Sequence, residues 1–210
     1  FDAIAPRYDL VNRIMTFRLD VRWRKIAVRS LQLPTGSTVL DLASGTGDLC
    51  IDLASAGYRP LSADLSFGML AADRSGAPRI QADILNLPVP DGSVDGVTCG
   101  FALRNLRDLP TFFAELARVV RPGGRIALLD VGVPASAENP NPYPILHVIP
   151  ALLQEYPELA ILVISMHAER NLIRAIMEAG ASGYILKEDQ AILRDLENVV
   201  VSVFSGGVHL

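Results

Sequence analysis

Apolar residues recur along this chain in short runs of four to seven, set between stretches with helical spacing. Thr38-Val39-Leu40-Asp41-Leu42-Ala43 reads as a buried strand, and residues 45–57 as a helix behind a glycine turn. Residues 59–64 form the next strand, with Ser66 opening the next helix. Further strands are expected at 78–82, 94–100, 125–130, 160–165 and 183–186. The last helical pattern is the plainest: Ile192, Leu193, Leu196, Val199, Val200 and Val203. Residues 1–31, rich in arginine and apolar side chains, read as one or two helices before the first strand. Residues 134–144 hold four prolines and two asparagines without periodicity, which predicts a loop.

Alternation of strand and helix predicts a doubly wound, Rossmann-like α/β fold, a parallel sheet covered on both faces. The expected strand order is 3-2-1-4-5-6-7, with N-terminal helices and one fused domain over residues 1–210.

Half of the 210 residues are hydrophobic and 20% are charged, which suits a globular protein with a substantial core. A net charge of −4 argues against nonspecific nucleic-acid binding and for a small-molecule partner. The two cysteines, Cys50 and Cys99, make neither a disulfide framework nor a metal-ligand cluster, so no metal is expected and a cytoplasmic setting is. No apolar run reaches membrane-spanning length. The sequence gives no handle on oligomeric state.

Candidate chemistry gathers at the strand ends. In Ala43-Ser44-Gly45-Thr46-Gly47-Asp48 the glycines let backbone approach a ligand closely. A dinucleotide site would place a third glycine where Cys50 stands, which weakens a nicotinamide reading. Asp64 ends the second strand and suits both ribose hydroxyls of an adenosine. Asp83 follows the third strand and suits the adenine amino group. Each acid alone reads as a solvated strand-end residue. Together with the turn they describe a nucleoside site at the carboxyl edge of an open sheet.

The run Phe1-Asp2-Ala3-Ile4-Ala5-Pro6-Arg7-Tyr8-Asp9, with Asn12 and Trp23-Arg24, resembles the opening signature of the ubiquinone/menaquinone-biosynthesis C-methyltransferase family. Residues 41–48 match its cofactor loop. Phe101-Ala102-Leu103-Arg104-Asn105 resembles the segment after its fourth strand, and Arg121-Pro122-Gly123-Gly124 the turn before its fifth. This resemblance covers residues 1–133 and implies S-adenosylmethionine as cofactor, held by Asp41, Ser44, Gly45, Thr46, Gly47, Asp64, Leu65, Asp83, Ile84 and Phe101. It implies a demethylated quinol as acceptor, and with that lipid-soluble substrate a peripheral contact with membrane. Arg104 and Asn105 would hold the quinol oxygen, although a structural salt bridge suits Arg104 equally. Tyr8 reads as a cover for the cofactor or as core, and Trp23 as packing. Arg18 and Ala102 depart from the family, which usually has glycine there. The three histidines, His147, His167 and His209, all fall beyond residue 133, so no histidine presents itself as proton acceptor.

Residues 126–210 resemble the second half of a response-regulator receiver domain. That resemblance would make Asp130 a phosphoacceptor, Ser165 the switch hydroxyl and Lys187 the partner lysine. A receiver also needs an acidic pair on the neighbouring strand to hold Mg²⁺. Residues 94–100, expected there, end in Thr98-Cys99-Gly100 without a carboxylate. Three readings follow: an active quinol C-methyltransferase, a recombined or engineered cofactor-binding chimera with impaired turnover, and a phosphorylation-dependent receiver module. The cofactor motifs favour the first two, and replacement of the segment after residue 133 makes weak or absent methyl transfer the expectation.

Overall fold

A computed structural model of the chain describes residues 19–103, 106, 108–129, 149–150, 153–154, 161–165 and 170–186. The chain divides into two compact units, residues 1–129 and 130–210.

In the first unit the sheet is built from β1 (Thr38–Leu42), β2 (Arg59–Asp64), β3 (Arg79–Gln81), β4 (Val94–Gly100) and β5 (Val120–Leu129). Its order is 3-2-1-4-5 and every strand pairing is parallel. The helices are α1 (Leu19–Ser30), α2 (Asp48–Ser55), α3 (Phe67–Ala71) and α4 (Leu109–Val119). The doubly wound class read from the alternation pattern is therefore the fold observed, and β2 and β4 have the predicted bounds. The helix expected over 45–57 is shorter. Gly47 adopts φ 85°, outside helical space, so residues 45–47 stay in the turn and α2 begins at Asp48. β5 pairs with Val94 through Val120, then resumes at Arg125 opposite Gly96; the Arg-Pro-Gly-Gly turn bulges out between them.

One face of the sheet carries Val39, Ala127 and Leu129, packed with Leu49 and Leu53 of α2 and with Trp23, Ala27 and Val28 of α1. Trp23 is thus a core residue, in line with its reading as packing. Gly96 and Gly100 lie beneath this layer: a Cβ would come within 2.8 Å of Leu33 Cδ1 in one case and 2.9 Å of Leu49 Cδ1 in the other.

α1 is also held by charge. The Arg24 guanidinium contacts Asp20 at 2.6 Å, Asp52 at 3.1 Å and Asp48 at 3.2 Å. Two of those acids belong to α2, so one buried cation ties α1 to the helix behind the glycine turn. Its charge is held by these carboxylates against the cost of burial.

In the second unit, β6 (Leu162–Ser165) and β7 (Gly183–Leu186) pair in parallel around α5 (Arg170–Glu178). Ile149, Leu172, Ile176, Ala181 and Tyr184 form its core. The parallel pairing of β6 with β7 is the one expected, and the expected adjacency of β5 and β6 is not found among the described residues. The order 3-2-1-4-5 continues no further in its sheet among the described residues, and β6 and β7 form a separate two-stranded sheet. A βαβ unit satisfies one edge of each of its strands internally and buries its own apolar face against α5. The predicted loop at 134–144 and the helix at 192–203 lie outside the described residues.

Replacing Arg24 by Met should destabilise the protein by about 3 kcal/mol, because three partly or fully buried carboxylates lose their common cation. Urea unfolding of the variant measures this. A change below about 0.5 kcal/mol would reduce the cluster to a surface ion pair.

Candidate functional site

The turn after β1, the end of β2 and the end of β3 lie in succession along the carboxyl edge of the first sheet. Asp64, last residue of β2, reaches back to the turn: its Oδ2 accepts from Gly45 N at 2.8 Å and its Oδ1 from Ser66 N at 2.8 Å. Each oxygen keeps a further acceptor position. Gly45 has φ 55°, and among the described residues nothing lies within 4 Å of where a Cβ would stand. Asp83 is exposed just past β3, its Oδ1 accepting from Leu85 N at 2.9 Å. Ile84 is buried behind it. The loop that follows is pinned by α4: Glu115 accepts from Leu87 N at 2.6 Å, and Arg118 donates to Leu87 O at 3.0 Å and Val89 O at 2.7 Å. Leu65 is 67% exposed beside Asp64, and Phe67 is similarly exposed on α3.

The two central strands end in strained backbone. Ala43 after β1 and Phe101 after β4 have φ of 50° and 60°. Non-glycine residues seldom adopt that region, and functional sites are where it concentrates. Phe101 N also donates to Leu129 O, fixing its place at the edge.

Beneath the turn lies a polar network that the sequence did not disclose. Ser62, Asp41 and Thr98 stand in register on β2, β1 and β4, and none of the three reaches solvent. Thr98 Oγ1 donates to Asp41 Oδ1 at 2.7 Å, and Cys50 Sγ of α2 donates to Asp41 Oδ2 at 3.5 Å. Ser62 Oγ lies 2.7 Å from Ser44 Oγ and donates to Asp73 at 2.9 Å. Burial pushes the Asp41 carboxyl up to about 7, opposed by the hydrogen bonds of Thr98 and Cys50 and assisted by the charges of Asp73 and Asp64. Burial and the charges of Asp41 and Asp73 raise the Cys50 thiol far above its ordinary value, so it stays protonated and serves as a donor.

Of the residues singled out in the sequence, the structure brings Asp41, Ser44, Gly45, Thr46, Gly47 and Asp64 together around one turn. It sets Leu65, Asp83 and Ile84 at the adjoining strand ends, and Phe101 beyond the neighbouring strand. Asp41 is a support under the turn, not a residue on its surface. Asp73 and Ser62 went unnoticed; the only signal was the Asp-x-Ser spacing of a local turn in Asp73-Arg74-Ser75. Tyr8, Arg104, Asn105, Asp130 and Lys187 lie outside the described residues, and Ser165 is the last residue of β6. Among the described residues, no three His, Cys, Asp or Glu are placed to hold a metal ion, and no helix is long and apolar enough to cross a membrane.

The sequence pattern of the ubiE/COQ5 methyltransferase family matches residues 1–154. The chain belongs to this family. The match passes residue 133, where the sequence resemblance was expected to end, so the family's pattern continues into the segment assigned to a receiver fragment. A demethylmenaquinone methyltransferase of Mycolicibacterium gilvum is 37% identical over 192 residues, 87% of this chain and 84% of that protein. One from Corynebacterium urealyticum is 44% identical over 135 residues, 64% of this chain and 59% of that protein. Against this and several other such relatives, the chain spans about three fifths of their length. Among solved structures, a SAM-dependent methyltransferase from Aquifex aeolicus superposes with TM-score 0.56 at 19% identity, over 74% of this chain and 87% of that one. One from Methanococcus maripaludis gives TM-score 0.55 at 16% identity, over 96% and 84%. These two likenesses establish the fold. S-adenosylmethionine is the cofactor of the family, and the site's chemistry fits it: the strand ends carry carboxylate acceptors, Asp64 and Asp83, suited to hydroxyls and an amine.

Asp41 predicts a pH dependence. A carboxyl raised from 3.8 to about 7 on folding stabilises the fold fully below the lower value. That contribution is lost as pH climbs through the window between them, at about 1.4 kcal/mol per pH unit. Asp41→Asn should lack this component. Urea unfolding of both proteins at pH 5, 6, 7 and 8 measures the difference, and parallel stability profiles would show that Asp41 does not titrate there.

Proposed function

We propose that this chain transfers the methyl group of S-adenosylmethionine to a ring carbon of a demethylated quinol. The observation that carries the reading is the succession of the turn 44–47, Asp64 and Asp83 along one sheet edge in a chain of this family. Asp64 accepts the ribose hydroxyls with the acceptor positions its backbone contacts leave, and Asp83 accepts the adenine amino group. Leu65 and Ile84 flank the base, and Phe101 closes the side toward the acceptor. Ser44, Gly45, Thr46 and Gly47 supply backbone to the amino-acid end, with Asp41 holding the turn from below. When bound, the cofactor supplies an already activated sulfonium methyl. The protein's task is then alignment of the ring carbon with that methyl and exclusion of water. Arg104 and Asn105 hold the quinol oxygen and favour its ionised form, which makes the ring carbon a better nucleophile.

A lipid-soluble quinol brings the protein to the membrane surface as a peripheral visitor from the cytoplasm. The reading in which turnover is impaired, through recombination with a receiver-like segment, rests on the likeness of residues 126–210. Phosphoryl transfer to Asp130 finds little support: the strand beside β5 puts Gly100 opposite Leu129, and its last residues carry no carboxylate for Mg²⁺.

Two measurements test the proposal. Calorimetric titration with S-adenosylhomocysteine should give binding, weakened by about 1–3 kcal/mol in Asp64→Ala; unchanged affinity would remove Asp64 from the site. A labelled-methyl assay with demethylmenaquinol should give turnover on the order of 1 s⁻¹ or more. Binding without turnover would favour the impaired chimera. We further propose that residues 1–210 unfold as one domain. A single calorimetric transition, with matching calorimetric and van 't Hoff enthalpies, is the expected result, and two transitions would refute it.

A further inference from the structure

The glycine turn is braced from a side that the cofactor reading does not use. Immediately after α3 the chain passes under the turn as Asp73-Arg74-Ser75. Asp73 Oδ1 accepts from Ser75 N and Ser75 Oγ, both at 2.6 Å, which fixes the carboxylate's orientation. Its other oxygen accepts from Ser62 Oγ at 2.9 Å. Ser62 is fully buried, and its hydroxyl lies 2.7 Å from that of Ser44, in the turn. The next residue adds a direct tie: Arg74 N donates to Thr46 O at 3.2 Å. The carboxylate also fills the space a side chain at position 47 would need. A Cβ on Gly47 would overlap Asp73 Oδ1 and stand 2.7 Å from its Cγ.

We propose that Asp73 is a positioning residue for the cofactor turn, acting on Ser44 through Ser62 and on Gly47 by direct packing. The inference rests on the reading that residues 44–47 hold S-adenosylmethionine. Three turn residues, 44, 46 and 47, are each met by residue 73 or 74, directly or through one hydroxyl. A carboxylate serving only its own local turn would need Ser75 alone. Ser62 would then be satisfied by Ser44, and Gly47 would have free space beside it. Gly47 is doubly required, by its φ of 85° and by Asp73. Without Asp73, the Ser44 hydroxyl loses its fixed partner chain and the turn gains room to shift. Affinity for the cofactor falls while the acceptor side is untouched.

The test is titration of S-adenosylhomocysteine into wild type, Asp73→Ala, Asp73→Asn and Ser62→Ala, with circular dichroism to verify folding. Asp73→Ala should raise Kd about tenfold or more. Asn offers one oxygen to Ser75 and an amide donor to Ser62, so Asp73→Asn should return Kd to within about threefold of wild type. In the methyl-transfer assay the alanine variant should raise KM for S-adenosylmethionine and leave KM for the quinol unchanged. A general loss of stability would produce neither the rescue nor the split. A folded Asp73→Ala with wild-type Kd overturns the inference. Should that variant not fold, wild-type Kd in Ser62→Ala overturns it, and a rise of about tenfold supports it. If wild type itself binds no S-adenosylhomocysteine, the cofactor reading falls and takes this inference with it. Wild-type binding with unaffected variants overturns this inference alone.

Discussion

A carboxyl group at the centre of a parallel sheet imposes conditions on everything around it. Asp41 sits in β1 between β2 and β4 with no access to water, so its oxygens need donors from protein alone. Thr98 on β4 supplies one and Cys50 on α2 the other. The first fixes the lateral register of the two central strands, because a slip of one residue would turn Thr98 to the other face. The second fixes how α2 lies on the sheet, and so where the turn before it must end. Among the described residues no buried side-chain nitrogen or oxygen lacks a partner, so the network is fully satisfied. Such a core demands one arrangement, where an apolar one would accept several.

The same helix is gripped from its outer side by Arg24, whose three carboxylate partners span two helices. Asp48 and Asp52 lie one turn apart on α2 and present their charges together, and Asp48 also meets Arg74 at 3.4 Å. The glycine turn thus lies between a clamped strand and a clamped helix and is itself braced from below through Ser62, Asp73 and Arg74. That division suits a ligand loop: its flanks are rigid, and only the residues between them approach the ligand.

Much of this was legible from the sequence, and the reasons differ by element. Buried parallel strands announce themselves as apolar runs ending in an acid or a glycine, and β2 and β4 were read to the residue. The strand-end acids Asp64 and Asp83 were legible because topology puts every carboxyl-terminal strand end on one edge. The polar row was not, since Ser62 and Thr98 become partners of Asp41 only through register, which one sequence does not encode locally. Asp73 was hidden for a related reason. It follows a helix of only five residues, too short for periodicity, and its partners lie in β2 and the turn. The continuation 5-6-7 was read from strand–helix alternation alone. Alternation specifies that strands are parallel but not which pre-existing edge a later strand joins: β6 and β7 pair with each other as expected, but the expected adjacency of β5 and β6 is not found among the described residues. The family pattern runs on past residue 133 through the proline-rich stretch, where its recognisable motifs thin out.

Ala43 and Phe101 hold left-handed backbone at the ends of the two central strands, each at a cost of order 1–3 kcal/mol that glycine would relieve. Selection for heat resistance alone would favour glycine at both positions. The protein instead keeps a methyl group and a phenyl ring there. The rim of the site is therefore where stability and shape compete, and a thermostabilising search over this chain would find its easiest gains at the residues it could least safely change.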